Sequence, residues 1–333
     1  VYELLGISLG LASLLTINAV ASLAAAACWR FLEARLDIRS AGARAEFLFC
    51  LRVGPPALAL LSVTLFLVPS YVGYEPYATS EIVSKKLAVL AIISAVGVTL
   101  ALWRTLRSWY ATRTLLQEWL SGAVQIKLHG TNIPTFRIAS SFPIIAVVGT
   151  FRPRLFVAEG VLETLSQEEL QAAIAHEGGH LYAHDNFKRS LLRASRDMLM
   201  MVPCGRSLDQ AWAEAAECAA DERAAQQSAE TALNLAAALV KIAKMVPVGA
   251  RAAVPMAAFL VGVEETHGVK ARVRRLLEIA SHDYLRQVPK PITRVLPAVS
   301  LCGLLLLALV VANTPMVLVS VHNVIERAVQ LLS

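Results

Sequence analysis

The stretch Ala175-His176-Glu177-Gly178-Gly179-His180 decides how the chain is read. His176 and His180 are one helical turn apart, so on a helix both imidazoles leave the same face and can grip one ion. Glu177 is displaced around the helix by roughly 100° from His176. Its carboxylate therefore stands beside such an ion, where it can take a proton from a bound water. Ser166 followed by Glu169 forms a capping box that starts the helix, and Leu170, Ala173, Ile174 and Leu181 repeat at helical spacing. The two glycines are costly in a helix interior, about 1 kcal/mol each against alanine. Either they admit a close approach of backbone or substrate, or packing simply holds the helix together around them.

An ion bound in this way needs a third protein ligand and a fourth position open to water; zinc is the metal that fits. Glu217 is the candidate, on a second helix expected to begin with its own capping box, Ser207 to Gln210. Asp221 lies one turn further on the same face. The expected metal set is His176, His180 and Glu217, with Asp221 accepting the free N–H of His176 and fixing its tautomer. His184, one turn past His180, reads as a polar-face histidine and not as a ligand, and Asp185 as a cap or anchor of the next turn. Cys218 is expected to point away from Glu217, as adjacent helical residues do. His267 precedes a basic helix, Lys270 to Arg275. His267 and Arg272 are candidate catalytic residues that would stabilise the oxyanion formed when a peptide carbonyl is attacked, Arg272 alternatively holding substrate; the competing reading is an ordinary surface pair. The Arg272-Val273-Arg274-Arg275 cluster could also touch lipid head groups.

The surrounding 333 residues are unusually apolar: 56% hydrophobic and only 17% charged, too few charges for an ordinary soluble surface. The net charge of +6 comes from basic residues that flank apolar runs, as membrane proteins require, and no aromatic-basic motif points to direct nucleic-acid binding. Cysteines at 28, 50, 204, 218 and 302 show no C-x-x-C, against a disulfide framework or a cysteine zinc site. Four apolar stretches are long enough to be read as spans, at about 4–29, 53–69, 87–103 and 295–312. The first continues into an Arg-rich segment and is not read as a cleaved signal peptide. Pro55 and Pro56 are expected to open the second. The chain then divides into 1–103 with three spans, a soluble segment 104–293, and 294–333 with the fourth span and a short tail. Arg30, Arg35, Arg39, Arg44 and Arg52 between the first two spans, with Arg104, Arg107 and Arg113 after the third, place the first loop and the central segment in the cytoplasm of a bacterial-type inner membrane, with both termini outside. Within the central segment, Val124–Leu128, Phe136–Ala139, Ile144–Val148 and Leu155–Val157 read as strands of a small sheet beside the metal helix. An edge strand there could hold an extended peptide. From Ser166 onward the segment reads as helical.

H-E-x-x-H at 176–180, Asp185 after it and E-x-x-x-D at 217–221 resemble the gluzincin metallopeptidases. Ser141-Phe142-Pro143 through Gly149, Pro153 and Leu155-Phe156-Val157, with three spans before the site and one after, resembles the BlaR and MecR antibiotic-sensor signal transducers. Glu265-Thr266-His267-Gly268 with Arg272 resembles instead the T-H-P…R segment of the HtpX and CaaX-prenyl-protease family, with Gly268 where proline is usual. The resemblance implies a mainly α membrane protein: four transmembrane helices plus a cytoplasmic α+β zincin-like domain. It implies a membrane-anchored, Zn2+-dependent endopeptidase acting on a protein substrate, in the sensor branch a transcriptional repressor or the protease itself. The short tail after the fourth span departs from the sensor receptors, which carry a penicillin-binding domain there, so direct sensing through such a domain is not expected. Two other readings stand beside regulated proteolysis: a quality-control protease for membrane proteins, and a non-catalytic receptor or scaffold with a relict zinc site.

Overall fold

The structure, a computed structural model, describes residues 1–32, 40–77, 83–197, 205–246, 266–281, 309–311 and 314–332. It is mostly helical with one small mixed sheet. Among the described residues, three helices are long and apolar enough to cross a membrane: α1 (Tyr2–Leu32), α2 (Ala41–Tyr74) and α3 (Lys85–Ser121). Leu4, Ile7, Val20 and Leu23 on α1 and Val89 and Ile92 on α3 face outward uncovered, as side chains do that meet lipid tails instead of water. The fourth expected span, about 295–312, lies almost wholly outside the described residues. The tail beyond it forms an apolar helix, Pro315–Leu332.

The second span does not begin at the prolines. Ser40 caps a helix that already starts at Ala41, so Pro55 and Pro56 sit inside it, and Val63–Leu67 is a π-helical stretch within the same continuous rod. Arg44 and Arg52, expected in a loop, are therefore helical. Arg52 is buried, and its Nε donates to Asp209 Oδ1 at 3.0 Å. The arginines read as a loop signature include one that fastens a helix to the rest of the fold. α3 has 37 residues, about 55 Å of helix against a hydrocarbon core of about 30 Å. Its surplus extends to Leu116, Trp119 and Leu120, which pack on the core of the region beyond it.

That region carries four strands, β1 (Val124–Ile126), β2 (Thr135–Ile138), β3 (Ile145–Val148) and β4 (Arg154–Ala158), in the order β1-β2-β4-β3. β2 and β4 run parallel; the outer pairs are antiparallel. All four expected strands form, with ends shifted by at most two residues. Gly149 has φ +104°, and a Cβ there would meet the Arg152 carbonyl oxygen at 2.8 Å, so the tight turn from β3 to β4 requires glycine. Trp119 meets Phe156 edge-on, with centroids 5.2 Å apart, which ties the end of α3 to the middle of the sheet.

Helices follow: α4 (Glu159–Thr164), α5 (Gln167–Ala183), α6 (Asp185–Asp197), α7 (Gly205–Ala225), α8 (Ala229–Met245), α9 (Thr266–Ser281) and, at the end of the chain, α10 (Pro315–Leu332). The capping box of α5 is present as read, Ser166 and Glu169 satisfying each other's backbone N–H groups. That of α7 is not: the helix starts at Gly205, so Ser207 lies inside its first turn. α5, α8 and the sheet enclose one core built on Phe156, Leu235, Leu239 and Ile242. α7 crosses α5 where Gly179 meets Ala220: a Cβ on Gly179 would lie 2.9 Å from Ala220 Cα, whereas one on Gly178 would meet nothing.

The adjacent glycines should therefore respond oppositely. Gly179→Val must part the two helices and is expected to destabilise the protein by about 1–3 kcal/mol, as overpacking does. Gly178→Ala should be neutral or stabilise by up to about 1 kcal/mol through helix propensity. Thermal unfolding of the two variants checks this; equal shifts would count against the close approach.

Candidate metal centre

The crossing of α5 and α7 creates the site. His176 and His180 leave α5 with ring centroids 4.8 Å apart and planes nearly perpendicular, at 89°. Glu217 of α7 spans both: its Oε2 lies 3.5 Å from His176 Nε2, and its Oε1 lies 3.5 Å from His180 Nε2. The far side of each ring faces a carboxylate. His176 Nδ1 is 2.8 Å from Asp221 Oδ1, a close contact short of a well-aligned hydrogen bond. His180 Nδ1 is 2.7 Å from Asp185 Oδ2. Both Nε2 atoms are thus directed toward Glu217. The three expected ligands come together, and Asp221 stands where it was expected.

Two arginines flank the carboxylates. Arg189 of α6 donates to Glu217 Oε1 at 3.0 Å. Arg272 of α9 donates to both oxygens of Asp221 at 2.7 Å, and its Nη1 lies 3.2 Å from Glu217 Oε2. Burial would lift the carboxyls of Glu217 and Asp221, but the attraction of His180 holds Glu217 well below the usual range, and Arg272 takes Asp221 down to about 2. Burial likewise opposes protonation of the imidazoles, yet is outweighed: Asp221 and Glu217 raise His176, and Glu217 and Asp185 raise His180 to about 10. Glu177 differs. Its Oε2 accepts from the Val147 N–H at 3.0 Å, and Oε1 has no hydrogen-bond partner among the described residues. Burial is the main cause of its raised pKa.

Three observations test whether a zinc ion fits. His176 Nε2, His180 Nε2 and Glu217 Oε2 are buried without hydrogen-bond partners among the described residues, a costly arrangement for polar atoms unless a cation supplies what is missing. All three ligands have donor atoms within 4.8 Å of one another, and the 3.5 Å separations approach the donor spacing of about 3.3 Å around a tetrahedral ion with bonds of 2.0–2.1 Å. With both imidazoles neutral, as ligands of an ion must be, the four carboxylates (Glu177, Asp185, Glu217, Asp221) and two guanidiniums (Arg189, Arg272) among the described residues leave two formal negative charges for a divalent cation to balance. Two nitrogens and one carboxylate, each imidazole backed by a carboxylate, form a donor set suited to zinc.

Other residues fall differently. Asp185 was read only as an anchor, yet it backs His180 as Asp221 backs His176; its place immediately after a helix that ends at His184 was the available signal. His184 caps that helix with φ 58° and is exposed, away from the centre. Arg189 carried no sequence signal, since its partner is 28 residues away. His267 lies in the first turn of α9, not before it, and its side chain is outside what the structure describes. Arg272 is buried, not at a lipid surface. Its guanidinium is engaged by Asp221 and Glu217, so it braces the ligand helix. Burial raises the Cys218 thiol.

One edge of the sheet is engaged from within the chain. Ala158 N–H donates to Ile144 O, so alternation along β3 turns Ile145 and Val147 away from β4. The outward N–H of Val147 is taken by Glu177, and its carbonyl accepts from Asn186 Nδ2 at 2.9 Å. At Val147 the chain's own side chains thus occupy the β3 edge of the sheet, whose other edge is β1.

Against known proteins, residues 146–280 match Peptidase family M48. No curated protein matches the chain. The matched segment runs from β3 through α9 and contains every residue of the centre, which supports a metallopeptidase domain. With three apolar helices long enough to cross a bilayer, the chain is similar to a membrane-associated metalloprotease.

Removing one partner of a buried ion pair strands the other. Arg272→Leu should cost about 3–5 kcal/mol, with Arg272→Lys losing less, because one ammonium cannot serve both oxygens of Asp221. Chemical denaturation of the two variants measures the difference; a wild-type midpoint in Arg272→Leu would rule out the bracing role.

Proposed function

We propose that the chain is a membrane-anchored zinc endopeptidase that hydrolyses peptide bonds of cytoplasmic or membrane-adjacent proteins. The observation that carries this is the buried trio of ligand atoms, both imidazole Nε2 atoms and Glu217 Oε2, without hydrogen-bond partners among the described residues, beside Glu177 Oε1 in the same condition. His176, His180 and Glu217 would hold the ion, which supplies a Lewis acid that polarises the scissile carbonyl and acidifies water. Glu177 is the general base. The Val147 N–H fixes one carboxylate oxygen and leaves Oε1 to take the proton from the attacking water and return it to the leaving amine. Its raised pKa brings the carboxylate closer to the range in which both transfers are possible at neutral pH. Asp221 and Asp185 present the two imidazoles through Nε2, Arg272 keeps Asp221 ionised, and Arg189 pairs with Glu217. Arg272 is a positioning residue in this scheme. His267, at the start of α9, remains the candidate for stabilising the oxyanion.

A cleft lined by Thr131, Ile133, Gly178, Arg223 and Gln226 reaches Glu177 between the β1–β2 turn and the end of α7. It gives a substrate segment a route to the base. The finer reading is regulated proteolysis at an inner membrane, with a cytoplasmic repressor as substrate; its support is the resemblance of residues 141–157 and of the apolar helices to the sensor transducers.

The decisive variant is Glu177→Gln, expected to keep its zinc and lose proteolysis by at least about a hundredfold. Proteolysis persisting at the wild-type rate would refute the role of Glu177. Mass spectrometry of proteins trapped on this variant in native membranes tests the substrate: one repressor-like protein supports regulated cleavage, and many membrane proteins point to quality control. Asp185→Ala is expected to weaken zinc affinity 10–100-fold, as losing a carboxylate behind a ligand histidine does; competition with a chromogenic chelator measures it.

A further inference from the structure

Away from the His176 centre, the described residues bring together a second set of metal donors: Glu75, His322 and Glu326, with ligand atoms all within 4.8 Å of one another. We propose that they form a site for a divalent transition-metal ion, zinc in the first instance, where α10 docks on the end of α2. Glu75 is the residue at which α2 stops, extended at φ −77° and ψ 127°, and it is buried. His322 and Glu326 are one turn apart on α10, so both side chains leave the same face. Their Nε2 and Oε1 atoms are 3.8 Å apart, too long for a hydrogen bond and close to the separation of two ligands of one ion. His322 Nδ1 is enclosed without a hydrogen-bond partner among the described residues.

The donors are placed without help from a metal. Ser70 Oγ donates to the Leu318 carbonyl at 2.8 Å, and Ile325 packs with Leu67 and Tyr71. One imidazole and two carboxylates suit zinc, nickel or copper and disfavour the all-oxygen ions calcium and magnesium. The setting admits an ion from water. The ring of Tyr74 lies 6.2 Å from that of His322, and Tyr2, Tyr71 and Tyr77 stack nearby, an aromatic grouping of the sort found at a membrane–water interface. The side chains of His322 and Glu326 are 17% and 32% exposed. The other end of α2, about 50 Å along the same helix, is attached to α7: Arg52 pairs with Asp209, and Glu222 accepts from the Ala41 N–H. An ion at Glu75 would thus pin α10 to the rod that braces the helix carrying Glu217.

Metal analysis of the full-length chain in detergent, stripped with chelator and re-equilibrated with zinc, tests the site. The unchanged protein is expected to hold two zinc ions, His322→Ala and Glu326→Gln one each, and His176→Ala/His180→Ala one. Cobalt substitution in the last variant should give an absorption band that is lost when His322→Ala is added. If both His322→Ala and Glu326→Gln hold as much zinc as the unchanged chain, the proposal is overturned. If His176→Ala/His180→Ala loses no zinc but His322→Ala does, the catalytic reading fails and this site stands.

Discussion

Everything in this molecule turns on how closely α7 can approach α5. Only the missing side chain of Gly179 lets the backbone at Ala220 come so near, and that approach brings one carboxylate across two imidazoles. Placing four acids and two histidines in a dry interior is expensive, because each ionised group loses its hydration. The arrangement survives because Arg189 and Arg272 arrive from two further helices, α6 and α9, and pair with the acids from behind. Their shares are unequal. Arg272 contacts both Asp221 and Glu217, whereas Arg189 meets Glu217 only. The centre is therefore a convergence of four helices, though its ligands come from two.

The membrane helices are structurally continuous with that convergence. The outer end of α3 is part of the core under the sheet through Trp119. The first turns of α2 are held by α7: Trp212 and Leu208 pack with Leu48 and Ala45, and Glu222 reaches the Ala41 N–H while also pairing with Arg275 of α9. Lys188 of α6 pairs with Glu46. Movement of α2 along its axis would load the helix that carries Glu217. The π-helical stretch at Val63–Leu67 lies in the last third of this rod, toward Glu75.

Local chemistry was legible in the sequence. The histidine spacing, the capping box at Ser166, the β-branched strands and the first three apolar spans each depend on residues within a few positions of one another, and each of these forms. The start of α2 differs from the expectation because prolines suggest a helix beginning; the local signal was the Ser40 cap, and the partner that lets Arg52 be buried in the helix, Asp209, comes from a distant helix. The partners of Val147 on the edge of β3 were not legible, because Asn186 and Glu177 reach it across a sequence separation that periodicity does not register.

The sequence by itself determined which side chains could serve as ligands and base, since four-residue spacing on a helix sets their common face whatever the helix packs against. It also determined that long apolar helices must find a membrane or a core. Only the tertiary structure decided that Asp185 backs His180, that Arg272 is a brace within the protein, and that Arg189 reaches Glu217. Those pairings are interactions between charges removed from water, and their strength depends on burial and on distance across elements. Neither quantity exists until the helices have packed.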